Sequence, residues 1–244
     1  MAHTSYGGAA RRGPTPQPLT GSRRYLTRTL AEPTLLVNEV YASLQGEGPE
    51  QGYPTVLVRL TGCNLRCTYC DSAFAFFEGR RRLLRDVVEE VSALRIGRVL
   101  VTGGEPLAQR ETPALCRSLL RLGHLVSVET NGTYELAALP KRVLKVVDVK
   151  TPGSGAGETF QPYLLGQMDK KDVLKFVCRH RDDYLFARDF MALHGLPGPP
   201  SVVLSPVWGE LDPKDLAAWT LEDRLDARVQ IQLHKVLWGQ ERGK

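Results

Sequence analysis

Three thiols crowd into one short stretch of this chain. Cys63, Cys67 and Cys70 have the spacing C-x3-C-x2-C within Cys63-Asn64-Leu65-Arg66-Cys67-Thr68-Tyr69-Cys70. Soft sulfur ligands held this close converge on one soft metal centre: zinc, copper(I) or an iron–sulfur cluster. A structural zinc site is closed by four ligands, usually as two paired half-sites. Here no fourth Cys or His follows nearby, since His124 lies far along the chain and Cys116 sits in a helix-like run. Three ligands for a four-position centre leave one position open, which is the mark of catalytic metal. Coincidental core thiols are the bland reading, but Asn64, Arg66 and Thr68 beside them make a poor core. The spacing therefore favours an iron–sulfur cluster with one open iron over zinc with a distant fourth ligand.

Other residues able to do chemistry stand close by. In Ser43-Leu44-Gln45-Gly46-Glu47-Gly48 the glycines turn the chain, and Gln45 and Glu47 could hydrogen-bond a polar heterocycle. Arg59 interrupts an apolar strand; it either snorkels or pairs, or grips a carboxylate through two parallel bonds. Asp71 and Ser72 offer oxygens suited to magnesium or to capping the next turn. Gly103-Gly104-Glu105-Pro106 brings backbone amides and one carboxylate to a strand end, where an ammonium-bearing ligand could sit.

Positioning these residues requires an alternating fold. Strands are expected at Leu36–Tyr41, Thr55–Leu60, Arg98–Thr102, Leu125–Glu129, Leu144–Lys150, Val173–Val177, Ser201–Leu204 and Arg228–Leu233, with helices at Leu84–Leu94, around Leu115–Leu120, at Leu185–Leu193 and after Asp212. Asp212 caps the last of these, with Pro213 in its first turn. The cysteine loop, Gly-Gly-Glu, Glu129-Thr130-Asn131-Gly132, Asp148-Val149-Lys150-Thr151-Pro152, Ser205-Pro206-Val207-Trp208 and His234 all fall at strand C-termini. Repeated β–α units put such ends on one rim, as in β/α barrels. The chain is short for eight units at roughly 250 residues, so the expected fold is α/β, a partial, open (β/α)6-type barrel.

Composition sets limits. With 244 residues, 42% hydrophobic and 24% charged, the chain can bury one substantial core. No apolar run reaches membrane-spanning length and no secretory signal is visible. Arg11, Arg12, Arg23, Arg24 and Arg28, ahead of the first acid, account for the whole net charge of +5. The remainder is neutral, which gives no argument for nucleic acid. Residues 1–34, rich in Gly and Pro, read as a disordered extension and 35–244 as the folded domain. The glycines and prolines argue against a transit peptide. Cys116 and Cys178 read as core thiols, an odd count that suits a reducing cytoplasm.

The cysteine motif, with Tyr69 before the third Cys, resembles that of the radical S-adenosylmethionine (SAM) enzymes. Within them the chain from about Val37 onward is similar to the 7-carboxy-7-deazaguanine synthases of queuosine and 7-deazapurine biosynthesis. The likeness rests on Leu44-Gln45-Gly46-Glu47-Gly48, Arg59 before Cys63, Cys70-Asp71-Ser72, Thr102-Gly103-Gly104-Glu105-Pro106, Glu129-Thr130-Asn131-Gly132, Asp148-Val149-Lys150-Thr151-Pro152-Gly153 and Gln232-Leu233-His234-Lys235.

That resemblance implies a lyase that contracts 6-carboxy-5,6,7,8-tetrahydropterin to 7-carboxy-7-deazaguanine with loss of ammonia, SAM being a recycled source of the 5′-deoxyadenosyl radical. It implies a 4Fe-4S cluster on Cys63, Cys67 and Cys70, Mg2+ at Ser72, and SAM against Gly104, Glu105, Asp148, Val149, Lys150, Ser205, Pro206, Val207 and Trp208. Substrate is expected at Leu44, Gln45, Gly46, Glu47, Arg59, Thr102 and His234, with Arg59, Glu47 and His234 as catalytic residues. An external one-electron donor of flavodoxin or ferredoxin type and a cytoplasmic homodimer are also implied. The segment Trp238–Lys244 runs longer than in short relatives, whose terminal carboxylate touches substrate, so no role passes to Lys244. The rival readings are a glycyl-radical activating enzyme, which would not need Arg59 and Gln45, and a non-catalytic zinc-binding module.

Overall fold

The computed structural model describes residues 1–4, 32–196 and 200–244. Chain contacts divide it into Met1–Ala31 and Glu32–Lys244. The expected disordered extension falls largely on residues 5–31, outside the described residues.

The second unit is built on one nine-stranded sheet. Its strands are β1 (Thr34–Leu44), β2 (Pro54–Leu60), β3 (Arg80–Leu83), β4 (Arg98–Gly103), β5 (Leu125–Thr130), β6 (Leu144–Asp148), β7 (Val173–Cys178), β8 (Ser201–Pro206) and β9 (Arg228–Val229). Their order is β3-β1-β2-β4-β5-β6-β7-β8-β9, parallel from β2 to β9, with β1 antiparallel to both its neighbours. Among the described residues β3 and β9 remain edges, so the sheet is open, as the partial barrel requires.

Helices α1 (Leu84–Ala93), α2 (Thr112–Arg121), α3 (Arg181–Leu193), α4 (Pro213–Glu222) and α5 (Leu233–Trp238) complete the unit. Leu84, Val87 and Val91 on α1 and Leu115, Cys116 and Leu119 on α2 are buried at helical spacing. Asp212 caps α4 by accepting from the Lys214 N–H at 2.9 Å. No helix follows β5 or β6. Gly132 and Pro140 after β5, and Pro152, Gly153, Gly155, Gly157 and Pro162 after β6, break helices, and short 3-10 turns stand there instead.

Strand alternation sends successive side chains to opposite faces. One face is apolar and covered by helices: Val56, Val58, Leu60, Val99, Val101, Val126 and Val128 pack with α1 and α2. Val147, Leu174, Phe176, Cys178, Val202 and Leu204 pack with α3 and α4. The other parity carries Arg59 level with Thr102, and Asp148 level with Lys175. Below them the same face holds a small apolar group, Val146, Val173 and Val203.

Two expectations need correction. The strand predicted to run to Leu233 stops at Val229, and His234 lies on α5, not at a strand end. The backbone leaves the sheet because Gln230 turns its side chain onto the Gly48 N–H and C=O, at 2.7 and 2.8 Å, and the Leu233 N–H bonds to Gly46. The strand predicted to reach Lys150 ends at Asp148.

Leu174→Ala, on the helix-covered face of β7, is expected to cost roughly 2–5 kcal/mol, the usual range for emptying a packed leucine site. Urea denaturation measures it, and a loss below about 1 kcal/mol would contradict the packing described.

Candidate active site

The inner face of the sheet encloses a cavity of about 680 Å³, within the size range of small-molecule sites. Its rim comes from loops after β2, β4, β5, β6 and β8, and its floor from the loop after β1. Since β1 is antiparallel, Leu44 lies opposite Pro54 at the start of β2. Leu44, Gln45, Gly46 and Glu47 therefore close the cavity at the end away from the cysteines.

At the rim, Cys63, Cys67 and Cys70 are free, half-buried and all line the cavity. Their loop is anchored through backbone groups: Gly62 donates to the Ala75 carbonyl, Thr68 to that of Ser154 at 2.9 Å, and the Gly62 carbonyl accepts from Glu105 at 2.8 Å. The Thr68 hydroxyl adds a bond to Gly153. Gly104 packs against this loop so closely that a Cβ would strike the Gly62 carbonyl and Cys63. Burial raises the pKa of Cys63 and Cys67, partly offset at Cys63 by the Leu65 N–H and at Cys67 by Lys150. Protons held there must be displaced when metal binds.

Among the described residues no three His, Cys, Asp or Glu converge tightly enough to share one ion. Three thiols on one loop, facing one cavity, suit the cysteine ligation of an iron–sulfur cluster. Beside them Ser72 donates to Asp71 at 3.2 Å, and Asp71 pairs with Lys235 at 2.9 Å. Crowding by the cavity walls would raise Asp71, but Lys235 outweighs it and holds the carboxyl down at about 2. A magnesium ion here would take at most these two oxygens and fill its octahedron with water and ligand. Ser72 precedes a 3-10 turn, yet its side chain makes no capping bond.

Midway down, the Arg59 Nε donates to Glu39 at 2.8 Å and an Nη to the Tyr41 hydroxyl at 3.2 Å. Thr102 donates to Glu129 at 3.4 Å. Lys150 pairs with Asp148 at 2.7 Å, and Lys175 with Glu47 at 2.6 Å. Burial alone would lower Lys150 and Lys175, but Asp148 for the first and Glu47 for the second outweigh it and raise both. Burial raises Glu129; Lys175 pulls it down while Glu47 and Asp148 push it further up. Glu47 Oε1 and Asp148 Oδ1 are buried and lack a hydrogen-bond partner among the described residues. They are acceptors awaiting a donor.

On the floor, Gly46 packs against His234 closely enough that a Cβ would collide with the ring. Gln51 donates to the carbonyls of Gly46 and Ile231 at 2.9 and 2.6 Å, tying the floor loop to the segment before α5.

Of the residues singled out from sequence, Cys63, Cys67, Cys70, Ser72, Leu44, Gln45, Gly46, Glu47, Arg59, Thr102, Gly104, Asp148, Lys150, Val207, Trp208 and His234 line one cavity. Glu105, Val149, Ser205 and Pro206 are buried behind its wall. The Glu105 carboxylate accepts from Leu107 N–H, Thr130 hydroxyl and Asn131 N–H, at 2.8, 2.8 and 2.7 Å, so it ties two rim loops together. The Gly239–Lys244 segment also reaches the cavity, including Lys244. Sequence reasoning gave no site role to Glu39, Tyr41, Glu129, Lys175 and Lys235, although Glu129 and Lys235 stand within motifs it quoted. Lys175 had a readable signal: it interrupts Val173-Leu174-Lys175-Phe176-Val177 just as Arg59 interrupts its own strand.

Comparison with known proteins gives the family and the fold. The model of the radical SAM superfamily matches residues 57–149. A 7-carboxy-7-deazaguanine synthase of Koribacter versatilis is 42% identical over 84% of this chain and 97% of its own length. The one from Chlorobaculum tepidum is 37% identical over 85% and 96%. In fold, the chain is similar to the crystal structure of QueE from Escherichia coli, with TM-score 0.69 and 20% identity over 82% of this chain and 95% of that one. SuiB of Streptococcus suis bound to the precursor peptide SuiA gives 0.55 at 13% identity, over 74% and 49%.

Two outcomes follow from this geometry. Gly104→Ala should push the Gly62–Cys63 backbone outward and at least halve the iron bound on anaerobic reconstitution; full iron loading would contradict the close approach. The pKa of His234 is lowered, by burial first, with Lys235 and Lys175 adding to that and Glu47 and Asp71 opposing it. The unfolded chain therefore takes up a proton near pH 6.5 that the folded chain refuses. Stability contributed by this group is present above about pH 6.5 and is lost as pH falls below it. His234→Gln should flatten the decline in urea midpoint between pH 7 and 5, and identical declines in both proteins would rule the assignment out.

Proposed function

The chain belongs to the radical SAM superfamily and, within it, to the 7-carboxy-7-deazaguanine synthases, and from that membership we propose how its cavity serves their reaction. The enzyme is a carbon–nitrogen lyase of 7-deazapurine biosynthesis. It converts 6-carboxy-5,6,7,8-tetrahydropterin to 7-carboxy-7-deazaguanine with loss of ammonia.

One observation carries the residue assignments: the three thiols share a single cavity with Arg59 and the Gln45–Glu47 floor. Cys63, Cys67 and Cys70 would hold the 4Fe-4S cluster. Gly104, Asp148, Lys150, Val207 and Trp208 would hold SAM, the free Asp148 oxygen suiting a hydroxyl or ammonium donor. Glu105, Val149, Ser205 and Pro206 would support that wall from behind. When bound, cluster and SAM together supply one-electron cleavage of a sulfonium and so the abstraction of a hydrogen.

The chain's own groups do the rest. Arg59, held by Glu39 and Tyr41 on one edge, turns its remaining N–H groups to the substrate carboxylate. Ser72, with Asp71 beside it, would place magnesium near that carboxylate. Glu47, through its unpartnered oxygen, and Gln45 receive the polar edge of the pterin; Leu44 and Gly46 shape the floor beneath it, and Thr102 touches its side. His234, kept neutral by burial, can accept or donate a hydrogen bond there without adding charge.

The reading also takes the protein to be a cytoplasmic homodimer supplied by an external one-electron donor of flavodoxin or ferredoxin type. Five free cysteines and the lack, among the described residues, of a helix long and apolar enough to cross a membrane agree with it. Residues 1–31 are taken as dispensable and the unit from Glu32 to Lys244 as the catalytic domain, three residues earlier than the boundary read from sequence because Thr34 already stands on β1.

An anaerobic assay with the carboxytetrahydropterin, SAM and dithionite, read by mass, tests the function: product without net SAM consumption is expected, and SAM cleavage alone would sink it. Arg59→Ala should lower kcat/KM for the pterin roughly 10- to 100-fold, as expected on losing bonds to a charged group worth about 1.5–3 kcal/mol. Uncoupled SAM cleavage should change far less, and equal losses would remove the assigned role.

A further inference from the structure

Beside the cysteine loop, three short polar side chains close a ring of hydrogen bonds. Asn131, on the loop after β5, is 6% exposed. Its Oδ1 accepts from the Thr133 N–H at 3.2 Å and from the Thr133 hydroxyl at 2.7 Å. Its Nδ2 donates to Asn64 Oδ1 at 3.0 Å, and Asn64 Nδ2 donates in turn to the Thr133 hydroxyl at 2.9 Å. Asn64 lies between Cys63 and Cys67 in the chain, so the ring ties the loop after β5 to the cysteine loop. The backbone N–H of Asn131, bonded to Glu105 at 2.7 Å, fixes the point from which this side chain starts.

A side-chain amide has two N–H donors and one carbonyl acceptor. Both Thr133 donors converge on the carbonyl, so the amide cannot turn over without setting its NH2 against them. That orientation gives one Asn131 N–H to Asn64 and sends the other toward Cys63, whose Sγ lies 3.9 Å from Nδ2. This is the outer reach of a sulfur acceptor, and an anionic thiolate attracts a donor more strongly than the thiol does. The Leu65 N–H reaches the same sulfur at 3.4 Å. Among the described residues the sulfurs of Cys67 and Cys70 accept no hydrogen bond. The three ligands are therefore unequal, with both donors gathered on one of them.

The reaction proposed above begins when the cluster takes up one electron, and this inference rests on that reading. Hydrogen bonds to a ligand sulfur draw off negative charge and so favour the reduced form, which holds the extra electron. We propose that Asn131 is a positioning residue that raises the reduction potential of the cluster through the Cys63 sulfur, with Thr133 and Asn64 holding its amide in the donating orientation. No bond is made or broken in this role: the proton stays on nitrogen, and the electron comes from the external donor. A mere structural tether would act differently. Its loss would lower iron content and leave the potential of the remaining clusters where it was.

The test uses the full chain reconstituted anaerobically with iron and sulfide, without SAM or pterin. It is titrated with dithionite in the presence of redox mediators and read by the electron paramagnetic resonance signal of the reduced cluster. At the wild-type midpoint, Asn131→Leu, a neutral side chain of similar size with no N–H to give, should lower the reduced-to-oxidised ratio at least about threefold, which is about 28 mV at about 59 mV per decade. Thr133→Val should move the ratio in the same direction, and Thr133→Ser, which keeps the hydroxyl, should hold it at the wild-type value. An unchanged ratio in Asn131→Leu at full iron loading overturns the proposal. Should Asn131→Leu lose its iron, the two Thr133 variants decide. A lower ratio in Thr133→Val alone upholds the role; equal ratios, or iron loss there too, make the ring a tether and overturn it. If the wild-type protein assembles no four-iron cluster, the functional reading falls as well, whereas an intact cluster indifferent to Asn131 overturns this inference alone.

Discussion

The ion pair between Lys175 and Glu47 joins the wall of the cavity to its floor, and much of the architecture answers to it. The two side chains are each 9% exposed and lie 128 residues apart in sequence. Removing one partner from such a buried pair typically costs about 3–5 kcal/mol, because the other charge is left alone. Asp148, Lys150, Glu129, Arg59 and Glu39 extend the network across β6, β5, β2 and β1. Anions slightly outnumber cations there, and the raised pKa of Glu129 relieves the imbalance.

A polar interior of this kind is stable only because the other face of the same strands is so uniformly apolar. Val, Leu and Phe at alternate positions are sealed under α1 to α4, and at about 25 cal/mol per Å² that burial provides the driving force for folding. The inner face is then free to carry charges that pair with one another. What the pairing leaves over, the free oxygens of Glu47 and Asp148, is what a polar ligand meets.

Little regular structure holds the loops that complete the site, so individual hydrogen bonds carry the load. Glu105 gathers the loops after β4 and β5 through three acceptor bonds. Asp183, from the start of α3, accepts the Gly153 and Arg179 N–H groups at 2.7 and 2.8 Å and so fixes the loop after β6, onto which Thr68 of the cysteine loop is bonded. Gln230 and Gln51 perform the same service for the floor. The GGE motif thus serves in two ways: Gly104 permits close approach, and Glu105 holds neighbouring loops in register.

Local patterns determined most of the elements and the centre of the chemistry. The C-x3-C-x2-C loop, the interrupted strand at Arg59, the Leu44–Gly48 loop and the Asp212 cap are each specified by residues within a few positions of one another. Parity along a strand likewise set which side chains share a face, and Lys175 could have been read by that rule. Tertiary structure alone decided the rest. The antiparallel placement of β1 sent the Gln45–Glu47 loop to the floor, and the early end of β9 carried His234 there as well. It also made Glu39 and Tyr41 the partners of Arg59 and turned Glu105 inward. These outcomes depend on contacts between segments up to 182 residues apart, and no local spacing encodes the direction in which a strand enters a sheet or which buried charge will face another.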